Sequence, residues 1–409
     1  EPGVFWLDAS DGRGWSYFGV RPVHDWQGRT RAEWDVFKKE ARSLIKEPFA
    51  GPVPFSSGLM GAVSYDFGLL LEGVSSRHVD ERGGGPLFSF GYYDSVLAFD
   101  HKKGEAWICG NDRSASWNIL FAAADASRKS GSVPGDNSLS VPVSDHDDIS
   151  YVSMVRRALD YIRCGEIYEV NLSRRLTCPF DGEALALYQR LRAGLPVPYG
   201  AYYDAGSIKV LSASPEVFLD LKQGLVLTRP MKGTRPRGKS AAEDDVLFRE
   251  LEGSNKEKAE LLMVTDLLRN DLGKVCETGT VIVKELRTIE KYTNVFQAVS
   301  TVEGRLNSGK DAFDLIEAAF PGGSITGCPK HRAAGVIDEL ESSRRGYYTG
   351  ALGYISCGGD MKLNMLIRTI ILRGGQALFS AGGGIVADSD PVKEFEETAL
   401  KAEGMVSAL

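Results

Sequence analysis

The chain has 409 residues, 43% hydrophobic and 25% charged, with a net charge of −7. That length supports a sizeable core and two or three domains, or fewer if one large sheet system absorbs it. The acidic balance excludes the basic field that non-specific nucleic-acid binding needs, and no run of ~18 apolar residues is there to span a membrane.

The six cysteines (Cys109, Cys164, Cys178, Cys276, Cys328 and Cys357) have no CxxC spacing and read as free thiols of a reducing compartment. The five histidines offer no paired spacing for zinc. The opening residues do not read as a signal peptide, so a cytoplasmic location is expected, or a plastid one if a transit peptide has been removed.

Short strand-like runs come first, at 4–7 and 96–99, with a glycine-bounded stretch at 58–66 between them. Residues 126–148 are rich in Ser, Gly, Pro and Asp and read as a linker between an N-terminal region, 1–125, expected to contribute to a shared sheet core, and a catalytic region, 149–409. Ser150 then suits a helix N-cap. Tyr151, Met154, Val155, Ala158, Leu159 and Ile162 follow at helical spacing, and Gly165 is the stop. Over 167–178 the residues alternate, with Glu169, Asn171 and Ser173 on the polar side, which predicts a half-buried strand. Further strands are predicted at 200–204, 208–213, 217–221, 225–229, 351–356 and 378–381. Helices are predicted at 183–193, 242–271, 312–319, 330–340 and 391–407. Strands cluster between long helices, which favours an α+β fold with largely antiparallel sheets.

Three constellations can carry chemistry. The segment Pro230-Met231-Lys232-Gly233-Thr234-Arg235-Pro236-Arg237-Gly238-Lys239-Ser240 reads as a loop crowded with cations. Neighbouring cations disfavour a lysine's ammonium form and so favour a nucleophilic amine. A solvated basic loop accounts for the same residues. Gly233 to Ser240 also fits GxxxxGK[ST], the phosphate-cradling P-loop of a nucleotide-binding protein. Two features oppose that reading: Pro236 removes an amide, and the acidic Leu261–Asp266 partner segment lies inside a helical pattern. The second constellation is Glu257, Glu260 and Val264 on one helix face, and Glu394, Glu397 and Lys401 on another. Their carboxylates can converge on a hard cation such as Mg²⁺, or simply face solvent. The third is glycine-rich, at 321–327 and 381–385, where free amides can bind anions or merely turn the chain. Ser214-Pro215-Glu216 and Arg368 add one acid and one cation.

Together these segments resemble the chorismate-utilising family of anthranilate synthase component I and aminodeoxychorismate synthase component I. The motifs run in the family's order: Ser-Pro-Glu at 214–216, Pro-x-Lys-Gly-Thr-Arg-Pro-Arg-Gly at 230–238, Glu260 with the run at 266–273, and Pro-Gly-Gly-Ser-Ile-Thr-Gly-Cys-Pro-Lys at 321–330. Ile-Asp-Glu-Leu-Glu at 337–341, Ile-Arg-Thr at 367–369, Ala-Gly-Gly-Gly-Ile-Val at 381–386 and Glu-Glu-Thr-x-x-Lys at 396–401 complete the set.

The resemblance implies an αββα arrangement of interlocked, largely antiparallel sheets flanked by helices. It implies Mg²⁺ on Glu260, Glu397 and Glu394, and Glu216 as general acid on the substrate's 4-hydroxyl. Tyr348, Arg368, Gly382, Gly384, Lys401, Thr234 and Ser324 are implied to bind chorismate. Lys232 stands where family members that aminate C4 often carry lysine and those forming anthranilate usually carry alanine. Gln297 stands where the histidine linked to pyruvate loss is found. The implied reaction is therefore C4 amination to 4-amino-4-deoxychorismate, a precursor of 4-aminobenzoate and folate, through a Lys232 adduct. Its ammonia comes from a separate glutamine amidotransferase. C2 amination with loss of pyruvate is the alternative, and Glu169 departs from the glutamine more usual in ammonia-using members.

Overall fold

The computed structural model describes residues 2–45, 51–78, 85–111, 114–126, 141–292 and 295–409. Of the predicted linker, 127–140 lie outside the described residues. Two large sheets form the centre. The first has 11 strands and runs Gly327–Cys328, Glu169–Pro179, Gln376–Ile385, Thr369–Arg373, Lys209–Ser214, Tyr199–Asp204, Phe5–Asp8, Trp15–Gly19, Ser95–Asp100, Glu105–Gly110 in space, with Val143–Ser144 beside Glu169–Pro179. The second has 10 and runs Met231–Pro236, Val295–Arg305, Leu225–Thr228, Val217–Lys222, Met361–Met365, Ala351–Ser356, Gly58–Val63, Phe88–Tyr93, His24–Gly28, with Ile282–Lys291 beside Val295–Arg305. Their ladders are antiparallel. The N-terminal strands enter both sheets rather than forming a sheet of their own.

The chain passes from one sheet to the other at two places that matter. Lys209–Ser214 belongs to the first sheet and Val217–Lys222 to the second, so Pro215-Glu216 is a crossing. Met361–Met365 belongs to the second and Thr369–Arg373 to the first, so Leu366–Arg368 crosses back. The crossings are tied together: the Met365 amide donates to the Glu216 carbonyl (3.0 Å), and the Ala213 amide to the Arg368 carbonyl (3.0 Å). Arg368 takes a left-handed φ of +51° there, uncommon for a side chain of its size.

Helices cover the outer faces. Asp148–Arg163 buries Tyr151, Met154, Val155, Ala158 and Leu159, as its spacing predicts, and packs with Pro391–Val406 against the Gln376–Ile385 region. Its N-cap is Asp147, three residues before the expected Ser150. The Asp147 carboxylate accepts both the amide (2.8 Å) and the hydroxyl (2.6 Å) of Ser150, so Ser150 is a first-turn residue. The helix predicted over 242–271 is two, Ala241–Gly253 and Asn255–Gly273. Ser254 ends the first and caps the second, its hydroxyl accepting the Glu257 amide (3.4 Å). The strand expected to be half-buried is buried on both sides from Glu169 to Ser173, because its polar face looks into the space between the sheets rather than into solvent. Several strands escape the hydrophobic pattern: Met361–Met365, Thr369–Arg373, and the Ile282–Lys291 and Val295–Arg305 pair.

Candidate active site

Met231–Pro236, expected as a loop, is an edge strand paired with Val295–Arg305. Its register shifts between Met231 and Thr234, at Gly233, where φ is +84°. Such a bulge re-aims the side chains beside it. An added Cβ at Gly233 would lie 2.9 Å from both the Glu257 carboxyl carbon and a Leu251 methyl, so a side chain is excluded there. Lys232 turns inward; Thr234, predicted to line the site, is exposed. The remaining cations turn to the flanking helices. Arg235 pairs with Glu250 (2.9 Å) and Glu257 (2.8 Å), and Arg237 with Asp244.

Lys232 is thus surrounded by carboxylates, not by the cations adjacent in sequence. Its Nζ donates to Glu169 Oε1 at 2.5 Å. Burial works against its charge, but Glu169, Glu260 and Glu216 outweigh burial and raise its pKa. The expectation of a lysine deprotonated by neighbouring cations is therefore corrected: the resting side chain is an ammonium held by Glu169.

The same geometry removes the phosphate-loop reading. The Gly238 amide donates to Asp244 (2.6 Å) and the Lys239 amide to Glu243 (2.8 Å), so carboxylates occupy the amides a phosphate would need. Leu261–Asp266 is continuous helix.

Glu216 sits on its crossing, 6% exposed, with Ser324 donating to Oε1 at 3.0 Å. Burial raises its pKa to about 7, against the opposing pull of the Ser324 hydroxyl and Lys232. A buried carboxyl poised near neutrality can hold and deliver a proton. Arg368, on the other crossing, has its pKa lowered by burial, and no carboxylate pairs with it among the described residues. Tyr348 is buried beside Arg345, whose guanidinium carbon lies 5.8 Å from the tyrosine ring centre.

Gly382 and Gly384 lie on Gln376–Ile385, paired with Ser173 and Asn171 of the neighbouring strand. A Cβ built on Gly384 would come within 2.4 Å of Glu169 Oε1 and 2.8 Å of Lys232 Nζ. Gly384→Ala is therefore expected to push the Lys232–Glu169 pair aside. Turnover should fall about a hundredfold while the melting temperature moves by only a few degrees, and unchanged turnover would remove Gly384 from the site.

Glu260, Glu394 and Glu397 approach from two helices. Lys256 Nζ stands between the first two, 3.8 Å from Glu260 and 3.4 Å from Glu394. Ser389 donates to Glu394 (2.7 Å), and Glu397 pairs with Lys401 (2.6 Å), which also donates to the Gly382 carbonyl (2.9 Å). Burial, with Glu169 and Glu394 adding to it, raises the Glu260 pKa to about 7 despite Lys232 and Lys256. Such under-neutralised, hard oxygen donors fit Mg²⁺ by charge and chemistry. Among the described residues, no three metal-ligating side chains are already closed on one point.

Sequence reasoning missed the buried Glu341–Arg345 pair (2.7 Å). Arg345 donates to the carbonyls of Ile325 (2.8 Å) and Asn171 (2.6 Å) and so ties the Ser324 turn to the Glu169 strand. Arg345 lies beyond a helix end, and no periodicity marks it. A cavity of about 970 Å³, lined by Tyr17, Asp220, Tyr354 and Lys362, holds none of the predicted site residues.

Comparison with known proteins agrees with this arrangement. Residues 3–407 match the chorismate binding enzyme family. Anthranilate synthase component 1 of Aquifex aeolicus is 44% identical over 91% of this chain and 79% of its own length. Aminodeoxychorismate synthase component 1 of Bacillus subtilis is 36% identical over 87% and 77%. The crystal structure of anthranilate synthase component I from Streptococcus pneumoniae superposes with a TM-score of 0.84 at 32% identity, covering 96% of this chain and 92% of that one. The expected α+β fold of interlocked antiparallel sheets is thereby met, and the chain belongs to the chorismate-binding enzyme family.

Proposed function

We propose that this chain aminates chorismate at C4, giving 4-amino-4-deoxychorismate, with ammonia from a separate glutamine amidotransferase. The observation that carries the reading is the Lys232 amine, buried against Glu169 and facing Gly384 in a site that also holds Glu216. Passing its proton to Glu169 frees that amine. Nζ then bonds to C2, the ring double bonds shift, and the C4–O bond breaks as Glu216 protonates the departing hydroxyl to water. Ammonia bonds to C4 and the double bonds shift back. The C2–N bond breaks and Lys232 leaves as the amine. Arg368, without a carboxylate partner among the described residues, and the buried Tyr348 are suited to a substrate carboxylate. Glu260, Glu397 and Glu394 would hold Mg²⁺, which supplies Lewis-acid polarisation of a bound substrate when present.

C2 amination with loss of pyruvate is the second reading. It is favoured by the anthranilate synthase names of several relatives and of the superposed structure. Gln297 supports C4 amination instead: it is buried and paired in register with Thr234, and an amide cannot act as a general acid or base near neutral pH. Incubation with chorismate, Mg²⁺ and ammonium is expected to give a product that retains the enolpyruvyl group by mass. Free pyruvate with anthranilate would overturn the C4 assignment.

A further inference from the structure

Asn171 is 8% exposed, and its Oδ1 is buried with no hydrogen-bond partner among the described residues. Its backbone is fully engaged: the amide donates to the Thr326 carbonyl (3.0 Å), and its own carbonyl accepts from Arg345 (2.6 Å). The main chain is thus fixed while the side-chain acceptor is left idle. A buried acceptor without a donor costs roughly 1–3 kcal/mol, so its retention calls for a donor that arrives later.

The strand shows which donor. Asn171 and Glu169 are two residues apart and share one face. Asn171 also pairs in register with Gly384, whose absent Cβ would otherwise meet Glu169 Oε1 and Lys232 Nζ. The Asn171 side chain therefore leaves its strand on the face that carries the Lys232–Glu169 pair. The Lys232 bond engages only Oε1 of Glu169. Two acceptors on one face remain, one amide oxygen and one carboxylate oxygen. Ammonia has three N–H donors and one lone pair. Acceptors that take two of its hydrogens leave the lone pair free to be aimed, whereas a donor would bind that lone pair and silence it.

We propose that Asn171 Oδ1, together with Glu169, seats the ammonia nucleophile beside Lys232. This rests on the amination reading above and goes beyond it by naming the residue that holds the nitrogen. Asn171 acts by binding and orienting; no proton transfer is assigned to it.

Steady-state rates with ammonium chloride as nitrogen donor test it, varying ammonium and chorismate separately on the full chain with Mg²⁺. Asn171→Leu, similar in size but without an acceptor, should raise the KM for ammonium about tenfold and leave the KM for chorismate within about twofold. Asn171→Asp keeps the acceptor and should stay near the unsubstituted value. If Asn171→Leu does not fold, Asn171→Ser, whose hydroxyl is too short to reach, is expected to raise the ammonium KM likewise. An unchanged ammonium KM overturns the proposal, as does a rise confined to chorismate or equal for both. Absence of any aminated product from the unsubstituted chain would instead sink the amination reading, and is recognised before any variant is made.

Discussion

Replacing Lys232 with alanine is expected to slow C4 amination at least about 10³-fold, the scale of losing a nucleophile in covalent catalysis. A second effect accompanies it. Lys232 and Glu169 side chains are 12% and 2% exposed, so removing the lysine leaves the carboxylate buried and unpaired. Breaking such a pair from one side costs about 3–5 kcal/mol. Lys232→Ala alone would therefore lose activity and stability together, and the rate would not distinguish nucleophile from fold. Lys232→Ala with Glu169→Gln removes both charges. The double variant should recover most of the melting temperature and none of the amination. Recovery of turnover in the double variant would reject the nucleophile role. With the unsubstituted chain, rapid quenching without ammonia should reveal protein heavier by chorismate less water.

The reach of the sequence ends where direction is decided by long-range pairing. The helices over 312–319 and 330–340 have the bounds their apolar spacing predicts, and the two strands flanking the Pro215-Glu216 crossing are met within a residue. These depend on local periodicity alone. Lys232 does not. Its neighbours in sequence are cations, yet its neighbours in space are Glu169, Glu260 and Glu216, because the bulge at Gly233 turns it away from Arg235 and Arg237. An electrostatic argument from sequence order thus inverted the sign of its pKa shift. Thr234, on the far side of that bulge, is exposed. The carboxylates on 255–273 and 391–406 were legible as helix faces, but the proximity of Glu260 to Lys232 and the pairing of Glu257 with Arg235 depend on which sheet edge the helix meets. Glu216 and Arg368 were read as isolated weak features. Their significance comes from crossings between two sheets, a property of topology that no window along the chain contains.

Glu216→Gln is expected to reduce amination roughly 10²–10⁴-fold, the usual contribution of a positioned general acid. Glutamine keeps the shape of the protonated carboxyl and can still accept from Ser324, so binding of chorismate should survive while turnover falls. The pH dependence identifies the role. With a folded pKa of about 7 against an ordinary 4.5, Glu216 carries its proton below neutrality and loses it above. The rate controlled by this acid should then fall about tenfold per pH unit above 7, and the variant should lack that limb. Stability follows the same proton. A carboxyl whose folded pKa is raised contributes stability that is fully present below 4.5 and lost as pH climbs through 7, a swing of roughly 3 kcal/mol. The amide does not titrate, so the melting temperature of Glu216→Gln should gain on that of the unsubstituted chain between pH 5 and 8. The direction of coupling to Lys232 is fixed as well: its ammonium lowers the Glu216 pKa, so Lys232→Ala should move the stability transition to higher pH. A transition that stays in place when Lys232 is removed would separate the two residues and with them the concerted loss of the hydroxyl.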